Sequence, residues 1–178
     1  GYLKNSGIIV VALSILILAD FWPVSKNYLN DSDFEAKSDI EANAFPLTPA
    51  DQAILADNKD GARMIDLSVD VFNSASPAYY HRTSGGYNPA KLRRYQDIIE
   101  HGLSYDLGEN AKNGLPAAHY LNMLNTRYLK NGTEPNNVIP NPFAMGNAWF
   151  VNSLKVVNSH EDEIMKVREA DPAKTAII

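Results

Sequence analysis

Cysteine is missing altogether from these 178 residues. No disulfide framework and no thiolate metal site can form, and cysteine usage says nothing about redox compartment. Histidine is scarce, and His81, His101, His119 and His160 fall at no spacing that suits zinc. Excess basic charge is lacking too. Lys and Arg number 16 against 21 Asp and Glu, a net charge of -5, which argues against nucleic acid as the main partner. No Gly-x-Ser-x-Gly elbow and no Ser-His-Asp order occurs, so a hydrolase triad has no basis. Neither the P-loop spacing nor Gly-x-Gly-x-x-Gly is present, and no internal repeat is evident. No cofactor or metal is expected.

What is present begins with an apolar run. "GIIVVALSILILADFWPV", residues 7–24, is apolar on every side until Asp20, with Ser14 its one interior polar residue. A helix that is apolar all round is buried deeply or sits in lipid. Three readings are open. A signal peptide has Lys4 as its charged flank, but Ile17 two residues before Ala19 makes a poor cleavage site. A buried element of a soluble fold suits the many β-branched residues. The end of a transmembrane helix places Phe21 and Trp22 in the interfacial belt, with Asp20 and Pro23 marking the exit into water. Gly1, not Met, stands first, which suggests a fragment or a processed product.

Residues 25–46 read as a polar, acidic linker. Asp31, Asp33 and Glu35 alternate, but the turn glycine and the final Glu of an EF-hand loop are missing. The whole chain is 45% hydrophobic, and from residue 47 it supports one α+β domain, a small mixed sheet packed by three or four helices. Thr48, Pro49 and Asp51 open a helix that the turn at 58–61 stops. "ARMIDLSVDVF" reads as a central strand, and Asp66 and Asp70 as either a carboxylate pair or a wet strand terminus. "NPAKLRRYQDIIEHG" reads as a helix capped by Asn88, begun by Pro89 and ended by Gly102. Leu92, Tyr95, Ile98 and Ile99 form its core stripe, and Arg93 pairs with Asp97 for about 0.3 kcal/mol. A short helix at "AAHYLNMLN" precedes a strand at "TRYLKNGT" that ends in an Asn-Gly turn. "EPNNVIPNPFAMGN" reads as loop, and "AWFVNSLKVV" as a strand burying Trp149, Val151 and Leu154. Ser159 caps a final helix with Glu161, Asp162 and Glu163 in its first turn, and "KTAII" reads as a strand. Asn30 and Asn131 head glycosylation-type triplets, which arise by chance in an Asn-rich chain.

The most chemically pointed stretch is "HRTSGGYNPAKLRRYQ". A Gly pair ahead of a helix N-terminus lets an anion approach backbone N–H groups. Lys91 and one of Arg93 and Arg94 add charge, and His81 and Tyr87 can donate to a phosphate or a sugar. The candidate anion and sugar site is thus His81, Gly85, Gly86, Tyr87, Lys91 and Arg94, with no catalytic residue. The competing account has a glycine supplying a positive φ, Asn88-Pro89 starting the helix, and the basic residues solvated.

"RMIDLSVDVFNSASPAYYHRTSGGYNPAKLRRYQDIIEHGL", "YLNMLNTRYL" and "NPFAMGNAWFV", in that order, resemble the soluble region of YfhO-type bacterial multi-pass membrane proteins, particularly those of Bacteroidetes. "LADFWPVSKNYL" is similar to the membrane-helix exit that precedes that region. The resemblance implies a bacterial inner-membrane protein whose soluble segment faces the periplasm or cell exterior. It also implies a glycosyltransferase-like activity that takes sugar from a lipid-phosphate carrier, with the catalytic carboxylate in an early loop outside this chain. The expected function is therefore recognition of a lipid-linked sugar or an envelope glycan acceptor, in a segment inactive by itself. The alternatives are a non-catalytic structural or interaction module and a free-standing anion-binding protein.

Overall fold

The computed structural model describes residues 6–178, and Lys4 lies outside them. The chain divides into two compact units, Gly1–Pro46 and Leu47–Ile178.

In the first unit, α1 runs over Ser6–Tyr28, through Pro23 and four residues past the apolar run. Its apolar side chains, Ile8 to Val24, are exposed throughout. The Ser14 hydroxyl donates to the Val10 carbonyl at 2.9 Å, so this lone interior polar group is satisfied within the helix. Lys26 lies 5.5 Å from the Trp22 ring centroid, a cation–π contact at the helix end. Among the described residues α1 is the one helix long and apolar enough to cross a membrane. The acidic segment beyond it, read from the sequence as a linker, carries short helical structure. A 3-10 turn at Asp31–Asp33, capped by Asn30, and α2 at Lys37–Ala44 lie within it.

The second unit is α+β. Its elements are α3 Pro49–Asp57, β1 Arg63–Asp66, α4 Arg93–Asp97, a π-helical segment Ile98–Leu103, α5 Ser104–Leu107, α6 His119–Met123, β2 Thr126–Lys130, β3 Val138–Pro140, β4 Ser153–Lys155, α7 His160–Val167 and β5 Thr175–Ile177. The expected capping box is present: the Thr48 side chain accepts the Asp51 N–H, and the Asp51 carboxylate accepts the Thr48 N–H. At α7 the Ser159 side chain caps the helix by accepting the Asp162 N–H.

The main sheet has the order β1-β2-β3, with β1 and β2 parallel and β3 antiparallel to β2. The central strand is therefore β2, and β1 lies at an edge extended only by a bridge from Met64 to Thr83. β3 comes from the stretch read as loop. Its Pro140, which has no N–H, sits where an edge strand tolerates it. A second, two-stranded sheet pairs β4 with β5 in parallel.

Strand parity organises the core. Ile65 and Leu129 are register partners and pack with Ile99, Leu103, Ala118, Tyr120 and Leu121. Met64 and Tyr128, also partners, face the other way and pack with Ile54 of α3 and Ala62. The sheet is thus covered on both faces, which explains its unbroken apolar centre.

α4, the π-segment and α5 follow one another without a gap, so Gly102 does not end the helix. A Cβ there would lie 2.4 Å from the Tyr120 ring, so glycine is the residue that lets α6 approach. The Ser104 hydroxyl donates to the Ile99 carbonyl, five residues back, at 2.7 Å. The helix also begins later than expected, at Arg93 with Leu92 as its N-cap, leaving Leu92 exposed rather than in the core stripe. Arg93 and Asp97 do pair, at 2.9 Å. The expected buried strand around Trp149 is a second departure. Phe150 is 99% and Leu154 65% exposed, and Trp149 is half-buried with its indole N–H donating to the Pro172 carbonyl.

Candidate functional site

Even parity along β1 and β2 aims Asp66 and Lys130, the last register pair, toward the α3 side of the sheet. The Lys130 ammonium there contacts Asp66 Oδ2 at 3.2 Å and both oxygens of Asp51 at 3.0 and 3.1 Å. The three side chains are 9%, 4% and 7% exposed. His81 Nε2 lies 3.0 Å from Asp51 Oδ1, and the Thr48 hydroxyl donates to Asp51 Oδ2 at 2.6 Å. Asp66 Oδ1 accepts both the hydroxyl and the N–H of Ser68, at 2.5 and 2.9 Å. Burial pushes the Asp51 carboxyl up, but hydrogen bonds from Thr48, Lys130 and His81 outweigh it and hold the group below its ordinary value.

This cluster is closed. None of its residues lines the cleft at the Gly-Gly loop or the one beside Trp149. One buried ammonium held by two carboxylates is an ion-pair lock between α3 and the sheet, and the Thr48 and Ser68 hydroxyls beside it serve as donors to those carboxylates. His81 is thereby drawn out of the expected binding set. The Asp66–Asp70 pair also dissolves, because Asp70 stands exposed and accepts the Phe72 and Asn73 N–H groups.

The Gly-Gly loop opens onto a cleft of about 470 Å³. Gly85, Gly86, Tyr87 and Lys91 all line it, together with Thr83, Asn88 and Tyr95. Arg63, a strand residue remote from the Gly-Gly motif in sequence, lines it as well, whereas Arg94 does not. The two cations of the lining meet no carboxylate there. Arg63 is oriented by a 2.7 Å hydrogen bond from Nη1 to the Leu124 carbonyl, and Lys91 is half-buried. The Tyr95 hydroxyl donates to the Ser84 carbonyl at 2.7 Å; burial pushes its pKa up, and the charge of Arg63 pulls it partly back.

The glycine pair itself does not form a nest of free donors. The Gly85 N–H donates to the Thr83 hydroxyl at 3.0 Å and the Gly86 N–H to the Val71 carbonyl at 2.7 Å. A Cβ on Gly85 would lie 2.2 Å from the Val71 carbonyl oxygen, and Gly86 has φ +100°. Both glycines are therefore needed by the backbone. Asn88 caps only an Asx turn, accepting the Ala90 N–H, and no helix begins beside it. Any anion held here rests on side chains, not on a helix terminus.

A buried carboxylate outside both sites completes the charged interior. Asp106 Oδ2 accepts the Tyr120 and Leu121 N–H groups at 2.8 and 3.0 Å, while Oδ1 is buried with no hydrogen-bond partner among the described residues. Burial raises its pKa despite those bonds. Among the described residues no group of His, Asp and Glu could hold a metal ion. Compared with known proteins, the chain matches no family model, no curated protein and no solved structure.

Proposed function

We propose that the chain is a membrane-anchored, extracytoplasmic domain of a glycosyltransferase-like protein of the bacterial inner membrane. In this reading it holds the anionic part of a lipid-linked sugar or envelope glycan. The observation that carries the reading is the cleft at Gly85 and Gly86, which has Arg63 and Lys91 but no carboxylate in its lining, in a chain of net charge -5. Exposed Tyr87 at its rim offers a face on which a sugar ring can rest. The resemblance to YfhO-type proteins supplies the ligand class, and the exposed apolar surface of α1 supports the anchor. The domain does no chemistry of its own in this reading.

Phe150 and Leu154, strongly exposed on and beside β4, favour a second reading, a module that packs against a partner protein. Calorimetry on the whole chain in lipid nanodiscs separates the two, with a polyprenyl-phosphate sugar as the ligand. Replacing Arg63 and Lys91 together by Gln removes two charge-assisted contacts and should weaken binding at least about tenfold. Raised salt should weaken the native protein's binding as well. Undetectable binding, or an affinity indifferent to both substitutions, overturns the recognition reading and leaves the packing module.

A further inference from the structure

The sequence contains two Asn-Gly pairs, Asn113-Gly114 and Asn131-Gly132, and the fold treats them oppositely. Asn113 is held: its amide donates to Asn110 Oδ1 at 2.7 Å, and the Gly114 N–H donates to the Ala111 carbonyl at 3.1 Å. Asn131 stands exposed where β2 ends, and neither its side-chain amide nor the Gly132 N–H has a hydrogen-bond partner among the described residues. Gly132 carries no side chain to shield its nitrogen and adopts φ +141°.

We infer that Asn131 is a site of spontaneous modification, converted by water to aspartate or isoaspartate. The Gly132 nitrogen gives up its proton to solvent and bonds to Asn131 Cγ. The Cγ–Nδ2 bond breaks, and the amide nitrogen takes a proton and leaves as ammonia. Water then opens the five-membered imide at either carbonyl, so an amide and a water become a carboxylic acid and ammonia, with no change of oxidation state. The same reaction at Asn113 must first break two hydrogen bonds, which slows it about thirtyfold.

The position matters to the fold. The Asn131 N–H closes the β2–β3 connection on the Asn137 carbonyl at 2.9 Å, and the Thr133 carbonyl receives the Ala50 N–H of α3 at 2.8 Å. Isoaspartate lengthens the backbone between these contacts, and either product adds a negative charge beside Lys130. The modification is thus a time-dependent loosening of the tie between α3 and the sheet.

The test is peptide mass spectrometry on the full chain, aged at physiological temperature in detergent micelles at neutral pH, with unaged protein as the zero point. Acid at position 131 should accumulate about thirtyfold faster than at position 113, and the ratio should collapse in urea, where neither pair is held. Asn131→Gln, whose longer side chain closes the ring poorly, should stay unmodified while keeping native circular dichroism. Equal rates in the folded chain, or a preference for position 131 that survives urea, overturns the inference.

Discussion

Lys130→Met removes the one cation between two buried carboxylates and keeps most of the side chain's volume. In the native chain the ammonium lies within 3.2 Å of Asp51 and Asp66, and all three groups are more than nine-tenths buried. Removing one partner of a buried pair costs about 3–5 kcal/mol, because the stranded charge keeps its desolvation penalty. The carboxylates here retain Thr48, His81 and Ser68, which places the expected loss near the lower end, at about 3 kcal/mol. Urea unfolding in mild detergent, followed by fluorescence in a Trp22→Phe background, reads this cleanly, since Trp149 is then the only tryptophan. The diagnostic is a change of sign. Asp66→Asn should destabilise the native chain, yet be neutral or stabilising beside Lys130→Met, where it removes a charge with no counterion. Acid sharpens the comparison. Asp51 has its folded pKa depressed, so its contribution is complete above the unfolded value near 4 and is lost as pH falls through the lower folded value. In the variant, protonation relieves the stranded pair, so the gap to the native chain should narrow as pH falls. A loss below about 1 kcal/mol, or an Asp66→Asn effect of the same sign in both backgrounds, refutes the ion-pair lock.

Substitutions at two further positions test the α4–α6 side of the sheet. Asp106→Ala strips the Tyr120 and Leu121 N–H groups of their acceptor and should cost about 2–3 kcal/mol by the same unfolding assay. Asp106→Asn keeps an acceptor oxygen. Because the folded pKa of Asp106 is raised, native stability should decline as pH rises from the unfolded value through the folded one, and the Asn variant should lose that slope. Gly102→Ala drives a methyl into the Tyr120 ring and should cost about 1–3 kcal/mol, with disturbed near-ultraviolet tyrosine circular dichroism. Full stability in that variant would mean that the π-segment yields without cost.

What could be read in the chain beforehand was whatever local chemistry decides. Thr48 and Asp51 satisfy each other three residues apart, the Ser159 side chain caps α7 by accepting the Asp162 N–H, and a strand followed by Asn-Gly is visible at 126–132. The ion cluster was invisible because its members lie up to 79 positions apart and each has a sufficient local explanation. Asp51 reads as a cap, Asp66 as a strand terminus, and His81 as a loop donor. One signal did exist: a lysine closing the apolar strand "TRYLK" opposite an aspartate closing "RMID". It becomes legible only once β1 and β2 are known to be parallel and in register.

The candidate cleft shows the same division in reverse. The glycines, Tyr87 and Lys91 were contiguous enough to be found together, but the donors assigned to the backbone turned out to be occupied by the loop's own hydrogen bonds. The charge that replaces them comes from Arg63, on a strand rather than in the motif. A loop of this kind therefore owes its Gly-Gly pair to the Val71 carbonyl and a positive φ, and any affinity to side chains that the turn brings near. Gly85→Ala and Lys91→Gln should accordingly separate: the first acts on folding, through the 2.2 Å clash, and the second on binding alone.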